Sequence, residues 1–162
     1  MKIHSVVVLL TIALVASLPV CAQSGQCQPV GGVLMTNIAA IDATYNLGPV
    51  FGDLAGSVAA KIVSANADGT FTLQHYWVTT AGDTILMKPA VLVPTYPIFT
   101  AMISNKAVVA VPWGNYSSDI SGGTGRFDGA TGTINYFGMA DFSKSTLVLR
   151  YSGTVCFKGP TS

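Results

Sequence analysis

The stretch Thr70-Phe71-Thr72-Leu73-Gln74-His75-Tyr76-Trp77-Val78-Thr79-Thr80 alternates from one residue to the next. Phe71, Leu73, His75 and Trp77 fall on one face, and Thr72, Gln74, Tyr76 and Val78 on the other. A period of two in β-branched and aromatic residues is the pattern of a half-buried strand. Asn66-Ala67-Asp68-Gly69 precedes it and Thr80-Ala81-Gly82-Asp83 follows. Asp-Gly favours the positive φ of a tight hairpin turn, so the stretch is bounded as a strand should be.

Working outward, the same punctuation recurs. Toward the N-terminus, Val33 to Ile38 and Ile41 to Tyr45 read as strand, and Asn46-Leu47-Gly48-Pro49 is expected to break it. Val50 to Val63 reads as one long strand, with Gly52 and Gly56 marking bends. Toward the C-terminus, Thr84 to Val93 is a strand interrupted by Pro89, and Pro94 and Pro97 force an irregular crossing. Ile98 to Val111 holds one or two strands, with Ser104-Asn105-Lys106 as a turn between them, and Trp113 to Ile120 continues. Thr133 to Phe142 and Thr146 to Phe157 form a final pair joined by Ser143-Lys144-Ser145. The expected fold is all-β: a single antiparallel barrel of about eight strands, whose closure removes exposed edges. A two-sheet β-sandwich fits the same strand count.

The first residues speak to compartment. Val6 to Leu18 is almost wholly apolar and leads into Pro19 and Val20-Cys21-Ala22. Residues 1–22 read as a secretory signal peptide cleaved after Ala22, leaving 23–162 as one barrel domain. The apolar run is short for a bilayer span and lacks basic stop-transfer residues, so no stable membrane span is expected after cleavage. Val20 before Cys21 departs from the small residue of a lipoprotein signal. The expected location is extracytoplasmic, secreted or periplasmic. Cys27 and Cys156 then remain, and two cysteines in an exported chain are most simply one disulfide.

Of the 8 Lys and Arg, Lys2 leaves with the leader, so seven basic residues face 7 acids, all Asp. No basic stripe tracks phosphates, which excludes the usual nucleic-acid binders. With His4 leaving in the leader, His75 is the one histidine of the expected mature chain, and with scattered Asp residues it forms no ligand cluster, so neither a metal nor another cofactor is expected.

Before the last strand pair, Ser121-Gly122-Gly123-Thr124-Gly125-Arg126-Phe127-Asp128-Gly129-Ala130-Thr131-Gly132 carries five glycines in twelve residues. Each would destabilise a helix by about 1 kcal/mol, so the segment is a loop between strands. Neither a Gly-Lys-Ser/Thr helix start nor a βαβ context accompanies it, so it is no phosphate cradle. Gly122-Gly123-Thr124-Gly125-Arg126-Phe127, with Ala130 and Gly132, resembles the signature loop of plant dirigent proteins, whose barrel is shared with allene oxide cyclase. The resemblance extends weakly to Leu54-Ala55-Gly56, Asp68-Gly69, Thr80-Ala81-Gly82 and Asp141-Phe142 to Tyr151. The loop is also similar to that of small exported bacterial proteins sharing a GGTGRFxGATG motif and carrying no assigned activity. The dirigent resemblance implies an eight-stranded barrel with a central cavity. Asp128 and Thr131 stand where dirigents often have basic residues, so no catalytic residue is carried over. Gly122, Gly123, Gly125, Arg126, Asp128, Gly129 and Gly132 are assigned a structural role, Arg126 and Asp128 pairing with each other or with backbone carbonyls.

The candidates for ligand contact are His75, Trp77, Phe71, Asp53 and Tyr151. An inward His75 would be a cavity donor or general base with its pKa lowered by burial, unless it is simply a satisfied core histidine. An inward Asp53 would be an acid–base group, and otherwise it sits at a strand end facing water. Three functions follow. The first is an exported barrel binding a small apolar ligand in a dirigent-like cavity without covalent catalysis. The second is a structural or interaction module of the cell envelope, predicting a barrel packed solid and an apolar outer patch. The third is a cyclase or isomerase, requiring a buried polar pair such as His75 with Asp53. The residues lean away from an enzyme, since no nucleophile elbow accompanies His75. Self-association, as dimers or trimers, is left open.

Overall fold

A computed structural model of the chain describes residues 26–94, 99–103 and 106–159, with side chains described at 26–94 and 116–159. The leader expected over 1–22, Pro97 and the Ser104-Asn105 part of the expected turn lie outside them.

The described strands are β1 (Cys27–Asn37), β2 (Tyr45–Gly52), β3 (Gly56–Ala65), β4 (Phe71–Thr79), β5 (Thr84–Met87), β6 (Ala90–Leu92), β7 (Phe99–Ile103), β8 (Lys106–Gly123), β9 (Thr131–Asp141) and β10 (Thr146–Cys156). Neighbours run β3-β2-β1-β10-β9-β8-β5-β4, and β4 pairs β3 to close the ring. Every pairing is antiparallel. This is the eight-stranded barrel, and closure removes the sandwich alternative. β6 resumes the β5 strand beyond Pro89 and pairs with β4. β7 is the extra strand, a hairpin partner of β8.

The expected break at Asn46-Leu47-Gly48-Pro49 is not there: all four residues lie inside β2. The β1–β2 ladder pairs Leu34 with Val50 and resumes only at Asn37 with Leu47. Pro49, which has no N–H to donate, sits at that gap on the β1 side and stays paired with Ser57 of β3 on the other. The expected long strand from Val50 to Val63 is two strands, because Gly52 takes φ +103° and turns the chain out of β2.

The period-two reading of the opening stretch holds in three dimensions. Leu73, His75, Trp77 and Thr79 are buried in β4, while Tyr76 and Val78 are exposed. β9 and β10 contribute Ile134, Tyr136, Leu147, Leu149, Tyr151 and Val155 to the same core. Gly32 faces Tyr151 across β1 and β10, and a Cβ there would lie 2.7 Å from the tyrosine ring. A glycine opposite an aromatic makes room for the ring in a narrow interior.

Cys27 and Cys156 are direct cross-strand partners at the ends of β1 and β10 and form a disulfide. The bond is consistent with an oxidising, extracytoplasmic compartment.

Candidate functional site

Two surfaces of the ring merit attention as sites: its axis and its outer wall.

On the axis, β4 supplies His75 and Trp77, β8 Tyr116, β9 Tyr136 and β10 Tyr151. Tyr136 stacks on both His75 and Tyr116, with ring centroids 4.7 and 4.8 Å away. The Tyr116 hydroxyl meets His75 Nε2 at 3.1 Å. Trp77 meets Tyr151 edge-on at 5.1 Å. The backbone N–H of Leu54 donates to the Tyr151 hydroxyl at 3.0 Å.

His75, Trp77, Tyr136 and Tyr151 are each at most 2% exposed. At their level no water-sized space is left beside them. The enclosed cavity of several hundred Å3 that the dirigent resemblance implied is absent from this level of the barrel.

Burial sets the electrostatics. It lowers the His75 pKa to about 4, so the imidazole is neutral at neutral pH. Burial holds the Tyr116 and Tyr136 phenols well above the ordinary range; the charge of Tyr136 adds to the first, and the nearby Trp77 indole weakly opposes the second. Burial also raises Tyr151, against the Leu54 N–H, and the Asp53 charge raises it further.

Five buried polar atoms lack hydrogen-bond partners: Thr36 Oγ1, His75 Nδ1, Trp77 Nε1, Thr79 Oγ1 and the Tyr136 hydroxyl. Three of them, on His75, Trp77 and Tyr136, belong to the aromatic stack.

The other sequence candidates lie elsewhere. Phe71 is half-buried at the far end of β4. Asp53 is exposed just after β2, where its carboxylate accepts from the Gly31 N–H at 2.8 Å. No described hydrogen bond joins Asp53 to His75. The partners of His75 are two phenols, on β8 and β9. Sequence reasoning missed both, although Tyr116 and Tyr136 alternate in phase with Ser118, Ile120 and Ile134, which are all inward.

The glycine-rich segment packs against the β4–β5 turn. Thr124 Oγ1 accepts from the Thr84 N–H at 2.9 Å, and Phe127 is fully buried. Arg126 pairs with Asp83 at 3.4 Å and lies over the Phe127 ring. Asp128, the expected partner of Arg126, is exposed and forms no ion pair among the described residues. The correction has a simple cause: the single-turn 3-10 helix Gly125–Phe127 turns Arg126 back toward the β4–β5 turn that carries Asp83.

The outer wall is unusually apolar where β2, β1, β10 and β9 run side by side. One cross-strand row reads Phe51, Val33, Arg150, Phe137, and the next reads Met35, Val148, Met139. Phe51, Phe137 and Met139 are each more than half exposed. A groove of about 570 Å3 lies between the Val33–Arg150–Phe137 row and the Ser152–Asn135 pair. Gly32, Tyr151 and Tyr136 line its floor, and the two tyrosine side chains are buried on the other face. A second groove, of about 350 Å3, lies between Arg150 with Phe137 and Val148 with Met139, over Gly138. Among the described residues, no group of three or more His, Cys, Asp or Glu could hold a metal ion.

No protein-family model and no curated protein matches the chain. Four solved chains align with it, two dirigent proteins among them. The pterocarpan synthase dirigent protein GePTS1 does so at 15% identity and a TM-score of 0.36, over 84% of this chain and 93% of that chain. The pterocarpan synthase dirigent protein PsPTS1 does so at 12% identity and a TM-score of 0.36, over 85% of this chain and 99% of that chain. At this level the likeness says nothing about activity.

Proposed function

We propose that this is an exported, non-catalytic binding protein that recognises its partner on the outer wall of β2, β1, β10 and β9. The observation that carries the reading is the conjunction of an axis filled at the level of His75, Trp77, Tyr136 and Tyr151 with two apolar grooves outside the ring. A buried aromatic core stabilises the ring, and the ring in turn presents a rigid outer surface. Apolar side chains exposed in register on neighbouring strands are stable in water only at a cost, which a partner relieves by covering them. His75 faces phenols, no carboxylate and no solvent, which favours a structural role over general-base chemistry.

A fluorescent apolar probe tests this on the native protein. Phe137→Ser is expected to weaken probe binding severalfold, and His75→Phe to leave it unchanged. The reverse result would overturn the reading.

A second reading has one observation in its favour. The unpartnered polar atoms of His75, Trp77 and Tyr136 in the aromatic stack are what a molecule with its own donors and acceptors would satisfy. In that reading the ligand enters the barrel, as the dirigent resemblance implied, and the His75 variant is the sensitive one.

A further inference from the structure

We propose that the groove beside Arg150 binds a small amphipathic carboxylate, its anionic end on the guanidinium and its apolar body along the groove. The inference rests on the outer-wall reading and names the chemistry of what that wall takes.

Arg150 stands between Val33 and Phe137 in the cross-strand row, with Val148 and Met139 in the next row on the same face. Its two cross-strand neighbours are hydrocarbon side chains. The described ion pairs are Lys88–Asp119, Arg126–Asp83 and Lys144–Asp141, and none includes Arg150. Asp53, near the β1 end of the groove, is engaged with the Gly31 N–H. Five donors in a planar fork are therefore unused, and they match the two oxygens of a carboxylate.

The groove's form agrees with that head group. It crosses β1, β10 and β9, two inter-strand spacings or roughly 10 Å. Its volume of about 570 Å3 is that of a small-molecule site. Val33 and Phe137 wall one side, and Asn135 and Ser152 line the other with uncharged polar groups. A second copy of this chain fits less well. A two-fold contact is self-complementary, so an axis at this row would set Arg150 against Arg150 and oppose two buried guanidinium groups. The unpaired cation selects an anionic partner.

Isothermal titration with octanoate, 1-octanol and octyltrimethylammonium, on the disulfide-bonded protein, is the test. Octanoate should bind more tightly than the alcohol, and the ammonium least. Arg150→Gln should weaken octanoate by about tenfold or more while leaving octanol unchanged, because a charge-assisted pair is lost. Arg150→Lys should recover part of the loss, and Phe137→Ser should weaken octanoate and octanol alike. Arg150 is exposed, so its variants should fold as the parent does. If octanoate and octanol bind equally, Arg150→Gln has no effect and Phe137→Ser still weakens both, the carboxylate proposal falls and the outer-wall reading stands. If neither substitution changes octanoate binding, or if nothing binds, both fall.

Discussion

At the scale of single residues, the molecule turns on how β4 divides its side chains. His75 is neutral because burial lowers its pKa from 6.5 to about 4. In the unfolded chain it takes up a proton near pH 6.5, where the folded barrel does not. The unfolded state therefore binds more protons between those values, and stability must fall as pH drops through that window. The loss should approach about 3 kcal/mol near pH 4. Thermal unfolding measured at intervals from pH 7 to pH 4 should show this slope in the parent and lose it in His75→Gln. Phe127 is the other residue to test. It is fully buried against Phe157, and Phe127→Ala should destabilise the barrel by about 3–5 kcal/mol in urea. The inward set on β4 and β10 was legible because alternation depends only on the strand's own geometry. The stacking of His75 with Tyr116 and Tyr136 was not, because it depends on register across strands that are 41 and 61 residues away along the chain.

At the scale of elements, short polar devices shape the connections. Asp42 with Thr44, Asp68 with Thr70 and Asp141 with Ser143 repeat one turn, in which a carboxylate oxygen accepts from the backbone N–H and the hydroxyl two residues on. Those hydroxyl bonds, more than anything else, lower the three carboxyl pKa values below 3.8. Their stabilisation is present above that value and is lost as pH falls below it, in a window distinct from that of His75. A second drop in melting temperature below pH 4 should therefore survive in His75→Gln. In the glycine-rich loop, a Cβ on Gly123 would run into the Thr84 carbonyl and lie 2.9 Å from Phe127 Cβ. Gly123→Ala should accordingly destabilise more than Arg126→Ala, since Arg126 is half exposed and its ion pair contributes at most about 1 kcal/mol. The loop's glycines ruled out an α-helix, but the strands reach further into the segment than expected: 121–123 end β8 and 131–132 open β9. The pairing of Arg126 with Asp83 was hidden because Asp83 belongs to another turn. Pro49 misled for the opposite reason: proline is a breaker by local rules, and its pairing with Ser57 of β3 shows only in the ring.

At the scale of the whole molecule, closure is what matters. β1 and β10 run side by side for eleven residues, from Cys27 opposite Cys156 to Asn37 opposite Thr146. The disulfide joins the chain's two described ends across 129 residues. Cys27→Ser with Cys156→Ser should destabilise by roughly 2–5 kcal/mol, read as a lower urea midpoint. Closure was foreseeable from strand number and the sticky edges an open sheet would leave. A filled axis was not, since alternation shows which residues face inward but not how much room remains between them. The apolar outer wall was equally hidden, because Phe51, Val33, Phe137 and Met139 belong to three separate strands and meet only in the ring. The central claim is that partners meet the outside of a barrel that is filled at the level of its aromatic stack. Its most direct test is a map of amide and indole chemical shifts while a soluble apolar carboxylate is titrated into isotope-labelled protein. The account predicts shifts at Val33, Asn135, Phe137 and Arg150, with the Trp77 indole N–H unmoved; shifts centred on Trp77 and His75, with the outer wall silent, would contradict it.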